Sequence, residues 1–139
     1  MTRQAGICVL TAFLAMAVVA CGRGNDSGKL TEVQRVRSGV VDVVLLSPRD
    51  AIRHGKDAFV IEFRSASEGT LVDVGTVKGN ATMPMAGMPM LGNIDVARTN
   101  VAGRYEANSD LSMAGTWRMA IEWNGPTGQG SVTFSGTVQ

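Results

Sequence analysis

Cysteine and histidine are nearly missing from this chain. Of 139 residues, two are cysteine and one is histidine. Both cysteines, Cys8 and Cys21, stand among the first 21 positions. Everything after Cys21 is without a thiol, which excludes a disulfide framework, a thiolate metal site and a cysteine nucleophile there and leaves the fold to its core. An excess of one charge sign is missing as well: 13 basic side chains stand against 12 acidic ones. No basic face offers itself to a nucleic acid, and no acidic run to hard cations. No apolar run suits an ordinary membrane-spanning helix, the longest being about 15 residues near the N-terminus. Domain-scale repeats are absent, as is any glycine-rich turn between strand and helix that would cradle a phosphate.

What is present begins with that N-terminal run. Arg3 precedes an apolar stretch, Ala5 to Ala20, interrupted only by Thr11, the pattern of an export signal. It ends in Val18-Val19-Ala20-Cys21-Gly22, which resembles the lipobox of bacterial lipoproteins. The resemblance implies that residues 1–20 are removed as a signal peptide and that Cys21 is acylated, tying the protein to a membrane through its lipid. A plain secretory signal or an uncleaved anchor is the competing reading. Gly22, rather than Asp, after the cysteine inclines the anchor to the outer membrane where an envelope has two. Without the first 20 positions 119 residues remain, and the loss of Arg3 leaves 12 basic against 12 acidic side chains. That length suits one domain and a short leader. Residues 22–29, GRGNDSGK, carry no apolar periodicity and read as a flexible tether, so that residues 21–32 link the lipid to a domain over residues 33–139.

From Val33 onward the hydrophobic pattern has period two. Val41, Val43 and Leu45 alternate, as do Phe59, Ile61 and Phe63, and Trp117, Met119, Ile121 and Trp123 share one face of a later run. Further strands are expected over Leu71 to Val77, Asn93 to Arg98, Gly103 to Ala107 and Gly130 to Val138. Residues 117–124 and 129–138, joined around Gly125-Pro126-Thr127-Gly128, form the expected terminal hairpin. About seven short strands with turn residues between them predict an all-β fold, an antiparallel immunoglobulin-like β-sandwich, with an open barrel as the alternative. Tyr105 is expected to bury its ring and send its hydroxyl to a backbone partner at a strand corner, and Trp117 and Trp123 to lie in the core. Asp57 and Asp110 read as turn or cap residues.

One segment departs from this grammar. Residues 83–90 read MPMAGMPM, four of the eight methionines in the chain. Pro84 and Pro89 exclude a helix and push Met83 and Met88 to extended backbone. Gly87 allows a reversal that faces the two triplets, so that Met83, Met85, Met88 and Met90 can present thioethers to one point. Neutral thioether sulfur suits Cu(I) or Ag(I) and suits Zn(II), Mg(II) and Ca(II) poorly. Met113 is a further contributor, with His54 ranked behind it: the only histidine sits in an exposed turn, and a Cu(II) nitrogen site lacks its donors. Two other readings compete with ligation, an adaptable hydrophobic surface for a partner and plain core filling.

The order MPMxGMPM, then Gly103-Arg104-Tyr105-Glu106-Ala107, then Leu111-Ser112-Met113-Ala114-Gly115-Thr116-Trp117, with a glycine-rich final hairpin, resembles the YtkA-like family over residues 38–138. That family is related to FixH proteins, and the resemblance implies a small extracytoplasmic immunoglobulin-like domain found beside heavy-metal efflux components. No enzyme is expected: residues 21–139 hold one histidine and acids scattered singly among strands and loops, without a nucleophile–base pair or a carboxylate pair. The expected function is a lipid-anchored extracytoplasmic binding module contacting Cu(I) or Ag(I) beside an efflux or metalation protein. The alternative is a metal-free adaptor whose methionine loop docks such a partner; no oligomeric state follows from the sequence.

Overall fold

The computed structural model describes residues 28–139, so the expected signal peptide, Cys21 and most of the tether lie outside the described residues. Every regular element among the described residues is a β-strand. There are eight: β1 (Thr31–Ser38), β2 (Val41–Ser47), β3 (Gly55–Ser65), β4 (Thr76–Met83), β5 (Met90–Arg98), β6 (Arg104–Leu111), β7 (Gly115–Gly125) and β8 (Gly128–Val138). All pairings are antiparallel, in the order β1-β2-β3-β6-β5-β4-β7-β8. The sheet rolls on itself into two facing walls. Phe63 of β3 meets Trp123 of β7, their ring centroids 5.2 Å apart although the strands are not neighbours. The walls are continuous through β5 and β4 and approach again at β1 and β8, where the two strands touch without a ladder. The expected sandwich is thus present in a nearly closed form.

The core is what the period-two pattern predicted. Val41, Val43, Leu45, Phe59, Ile61, Phe63, Trp117, Met119, Ile121 and Trp123 are all buried. Each projects inward from its strand while its neighbours face out. Two expectations need correction. β1 begins at Thr31, inside the stretch read as tether, and pairs along β2 from Ser47 to Val41. The run Leu71 to Val77 is not one strand: Leu71 makes an isolated bridge to Arg64, and β4 starts only at Thr76. Gly75, at φ 84°, breaks the run. It also packs against Gly125 so closely that a Cβ at Gly75 would stand 2.4 Å from the Asn124 carbonyl oxygen.

The outward face of β3 and β6 carries a buried ion cluster. Glu62 accepts from Arg64 Nε at 2.8 Å and from Arg104 Nε at 2.8 Å. The two guanidinium groups cover its carboxylate, so a charged residue on the outer face is as buried as the core.

Candidate functional site

One end of the rolled sheet gathers the chemistry singled out above. The pairings Thr31↔Ser47, Gly55↔Leu111, Met83↔Met90 and Gly115↔Val138 place the start of β1, the β2–β3 loop, the β4–β5 tip, the β6–β7 connection and the C-terminal residue at this end. We refer to it as the mouth.

The Met-Pro segment is the hairpin between β4 and β5. Met83 closes β4, Met90 opens β5, and residues 84–89 form the tip. The prolines end both strands because neither can donate to the ladder, and Gly87, at φ 92°, turns the chain. This geometry divides the four methionines. Met83 is buried, with its Cε resting where a Cβ on Gly115 would come within 2.8 Å. Met90 is half-buried, and Ser112 Oγ donates to its sulfur at 2.8 Å. Met85 and Met88 face solvent, 48% and 79% exposed.

Met113 lies beside them. Continuing the β5–β6 register past Asn93↔Asp110 brings Met113 level with Met90. Its side chain is 42% exposed, and its carbonyl accepts from the indole Nε1 of buried Trp117 at 3.0 Å. The core therefore fixes the backbone on which this thioether rides.

His54 is at the same end, on the other side of the β6–β7 connection. Its backbone N–H donates to the Gln139 carbonyl at 2.7 Å, and its ring Nδ1 lies 3.0 Å from the same oxygen. A carbonyl only accepts, so the ring carries a proton on Nδ1, and in the neutral ring the free lone pair is on Nε2. The β2–β3 loop that carries His54 is held by Asp57. This residue is not the turn aspartate expected from sequence: it lies within β3, buried, and accepts from the Arg49 guanidinium and from the Arg53 backbone N–H at 2.9 Å. Asp110 likewise lies within β6 rather than in a turn.

Chemically, the mouth offers thioethers and one imidazole. Among the described residues no group of three or more His, Cys, Asp or Glu side chains stands together in a way that could hold a metal ion. A soft, d¹⁰ ion is thus the class that fits the donors present, and the accessible sulfurs are those of Met85, Met88 and Met113, with Met90 behind them. Met83 is a packing residue. Two open grooves lie off the methionine tip: one of about 610 Å³ on the outer face of β4, β7 and β8, lined by Lys78, Glu122 and Asn124 among others, and one of about 480 Å³ on the flank of β3, β6 and β5 beside Arg49, Asp95 and Asp110.

Leu91 was not anticipated. It is 77% exposed next to Met90, and it extends the apolar tip with a side chain that carries no donor. A signal for it is present in the sequence: Gly79 to Ile94 is a run of sixteen residues without a charge.

The family model for YtkA-like proteins matches residues 35–122, from within β1 into β7. Two solved structures of FetP from uropathogenic Escherichia coli strain F11 are similar. One, a copper-bound variant, is 8% identical over 79% of this chain and 97% of that one, with a TM-score of 0.49. The other, the protein as isolated, is 10% identical over 78% of this chain and 95% of that one, with a TM-score of 0.49. No curated protein matches the chain.

Proposed function

The chain belongs to the YtkA-like family, and from that premise we propose that it is a lipid-anchored extracytoplasmic binding module, not an enzyme, that contacts Cu(I) or Ag(I) through the β4–β5 tip beside an efflux or metalation protein. One observation carries this reading. Three thioethers, Met85, Met88 and Met113, are exposed at one end of a chain whose described residues contain no thiol and a single imidazole. Thioethers need no deprotonation, so binding depends little on pH. The lipid on Cys21 supplies the membrane attachment, and the ion is cargo, held by exposed side chains rather than by the core.

The test is an anaerobic Cu(I) titration against a chromogenic chelator. Replacing Met85, Met88 and Met113 by leucine removes sulfur while keeping apolar bulk, at a stability cost under about 1.5 kcal/mol. Affinity is expected to fall by on the order of tenfold or more, each tenfold being about 1.4 kcal/mol. Met83→Leu is expected to leave affinity unchanged. Equal competition by the native and triple-leucine chains would sink the metal reading.

That result would promote a second reading, favoured by Leu91, Pro84, Ala86 and Pro89, which expose apolar surface without any donor. In it the same tip docks a protein of the efflux system with no metal involved.

A further inference from the structure

The exposed apolar side chains are unevenly placed. Of the six large ones among the described residues, Met85, Met88, Leu91 and Met113 are at the mouth, and only Val40 and Val101 are in loops at the opposite end. Pro84, Ala86 and Pro89 add to the same tip. It stands on a charge-free run, Gly79 to Ile94, bounded by Lys78 and Asp95. Around it the exposed charges include Lys29, Arg53, Lys56 and Arg118 against Glu32, Asp50 and Asp110, with Arg49 tied to Asp57. The two signs nearly balance, so the mouth carries no net charge strong enough to drive it from an anionic surface.

The chain enters the domain at this same end, because Thr31 pairs with Ser47 and the described chain starts just before it, at Gly28. Eight residues separate Cys21 from Leu30, which is nine Cα steps. Nine Cα steps reach about 30 Å at most. The strands, 7 to 11 residues long, run about 23 to 36 Å. A lipid on Cys21 therefore ties the bilayer to the mouth end of the barrel rather than to the far end.

We propose that the β4–β5 tip, with Leu91 and Met113, seats in the headgroup–acyl boundary of the membrane to which the chain is anchored, so that the barrel stands mouth-down. This rests on the lipid at Cys21 and goes beyond it by assigning an orientation and a lipid-contacting surface. Apolar side chains at that depth leave water, and a mouth-down barrel offers its thioethers in the plane of the membrane.

Val40 and Met88 are matched reporters: each is 79% exposed, at opposite ends of the barrel. Val40→Cys and Met88→Cys, each labelled with an environment-sensitive fluorophore, would be made in the full chain and purified from membranes. They would then be reconstituted into vesicles of phosphatidylcholine and phosphatidylglycerol whose phosphatidylcholine is brominated. Mass analysis of the N-terminal peptide reads the lipid on Cys21 independently. With the lipid present, the probe at 88 is expected to be quenched several-fold more than the probe at 40. Equal quenching, or a probe at 88 that stays in water, overturns the seating while leaving the anchor intact; shielding at 88 in native membranes but not in protein-free vesicles overturns it in favour of a protein partner. An unmodified Cys21 overturns both the anchor and the seating built on it.

Discussion

Tyr105 packs its ring edge-on against Phe63, with centroids 5.4 Å apart, and donates its hydroxyl to the Gly75 carbonyl at 2.8 Å. Burial pushes the phenol above its ordinary value of 10.0, and the nearby Asp73 carboxylate pushes the same way. The folded chain therefore holds this proton more tightly than the unfolded chain. The stabilisation is complete below the ordinary phenol value and is lost as pH rises toward and through the higher folded value. Tyr105→Phe is expected to cost about 1 kcal/mol at neutral pH, the net worth of one buried hydrogen bond, and to reduce the loss of stability above pH 10.0. Urea midpoints measured across the alkaline range check this; an unchanged alkaline slope in the variant would refute it. The hydroxyl's backbone partner was legible in the sequence, since a lone tyrosine on an alternating strand must bury its ring and satisfy its oxygen. Asp57 was not, because Gly55-Lys56-Asp57 has the composition of a turn and only the tertiary fold brings Arg49 and the Arg53 amide to its carboxylate.

At the scale of strands, glycine explains where the periodic reading succeeded and where it slipped. Against Trp123, Ile121 and Met119 on β7, strand β4 sets Val77, Gly79 and Ala81. A Cβ at Gly79 would meet Ile94 at 2.9 Å, and one at Gly130 would meet the Trp123 ring at 2.2 Å. Large residues on one strand are accommodated by absent side chains on the next, and the strand that yields loses its hydrophobic signature. For this reason β7 was read nearly to its ends, whereas β4 was placed too early and β5 too late. Gly92 sits where β5 rolls the sheet from one wall to the other. A Cβ there would lie 2.5 Å from Leu111 Cδ2 and 3.0 Å from Trp117 Cζ3, both side chains fully buried. Gly92→Ala is expected to destabilise by about 1–3 kcal/mol through overpacking. Because Trp117 holds the Met113 carbonyl, the variant is also expected to raise protease cleavage in the β6–β7 connection. Thermal unfolding at the native midpoint would refute the close packing.

For the whole molecule, the pairings β3–β6 and β4–β7 decide the shape, and these were beyond the sequence. Alternation and turn residues identify neighbouring hairpins; nothing in a strand's own pattern names a partner forty residues away. The resulting roll leaves one discontinuity. β1 and β8 approach at Gln34 and Gly136 but share no ladder, so backbone groups on the two facing edges must turn to water or side chains for partners. β1 is also the one strand among the described residues with none buried, and its Val33 and Val36 only half enter the core. A strand paired on one side and weakly packed opens at low free energy. Native-state hydrogen exchange is therefore expected to show β1 amides opening first, then the outer edge of β8, with β3, β6, β4 and β7 exchanging only near global unfolding. Protection in β1 equal to that in β3 and β6 would mean that the seam is closed by a ladder. If β1 does yield first, motion of the chain that precedes it is absorbed at the seam, and the mouth, held by Trp117 and by Asp57 on the opposite side of the β6–β7 connection, keeps its thioethers in place.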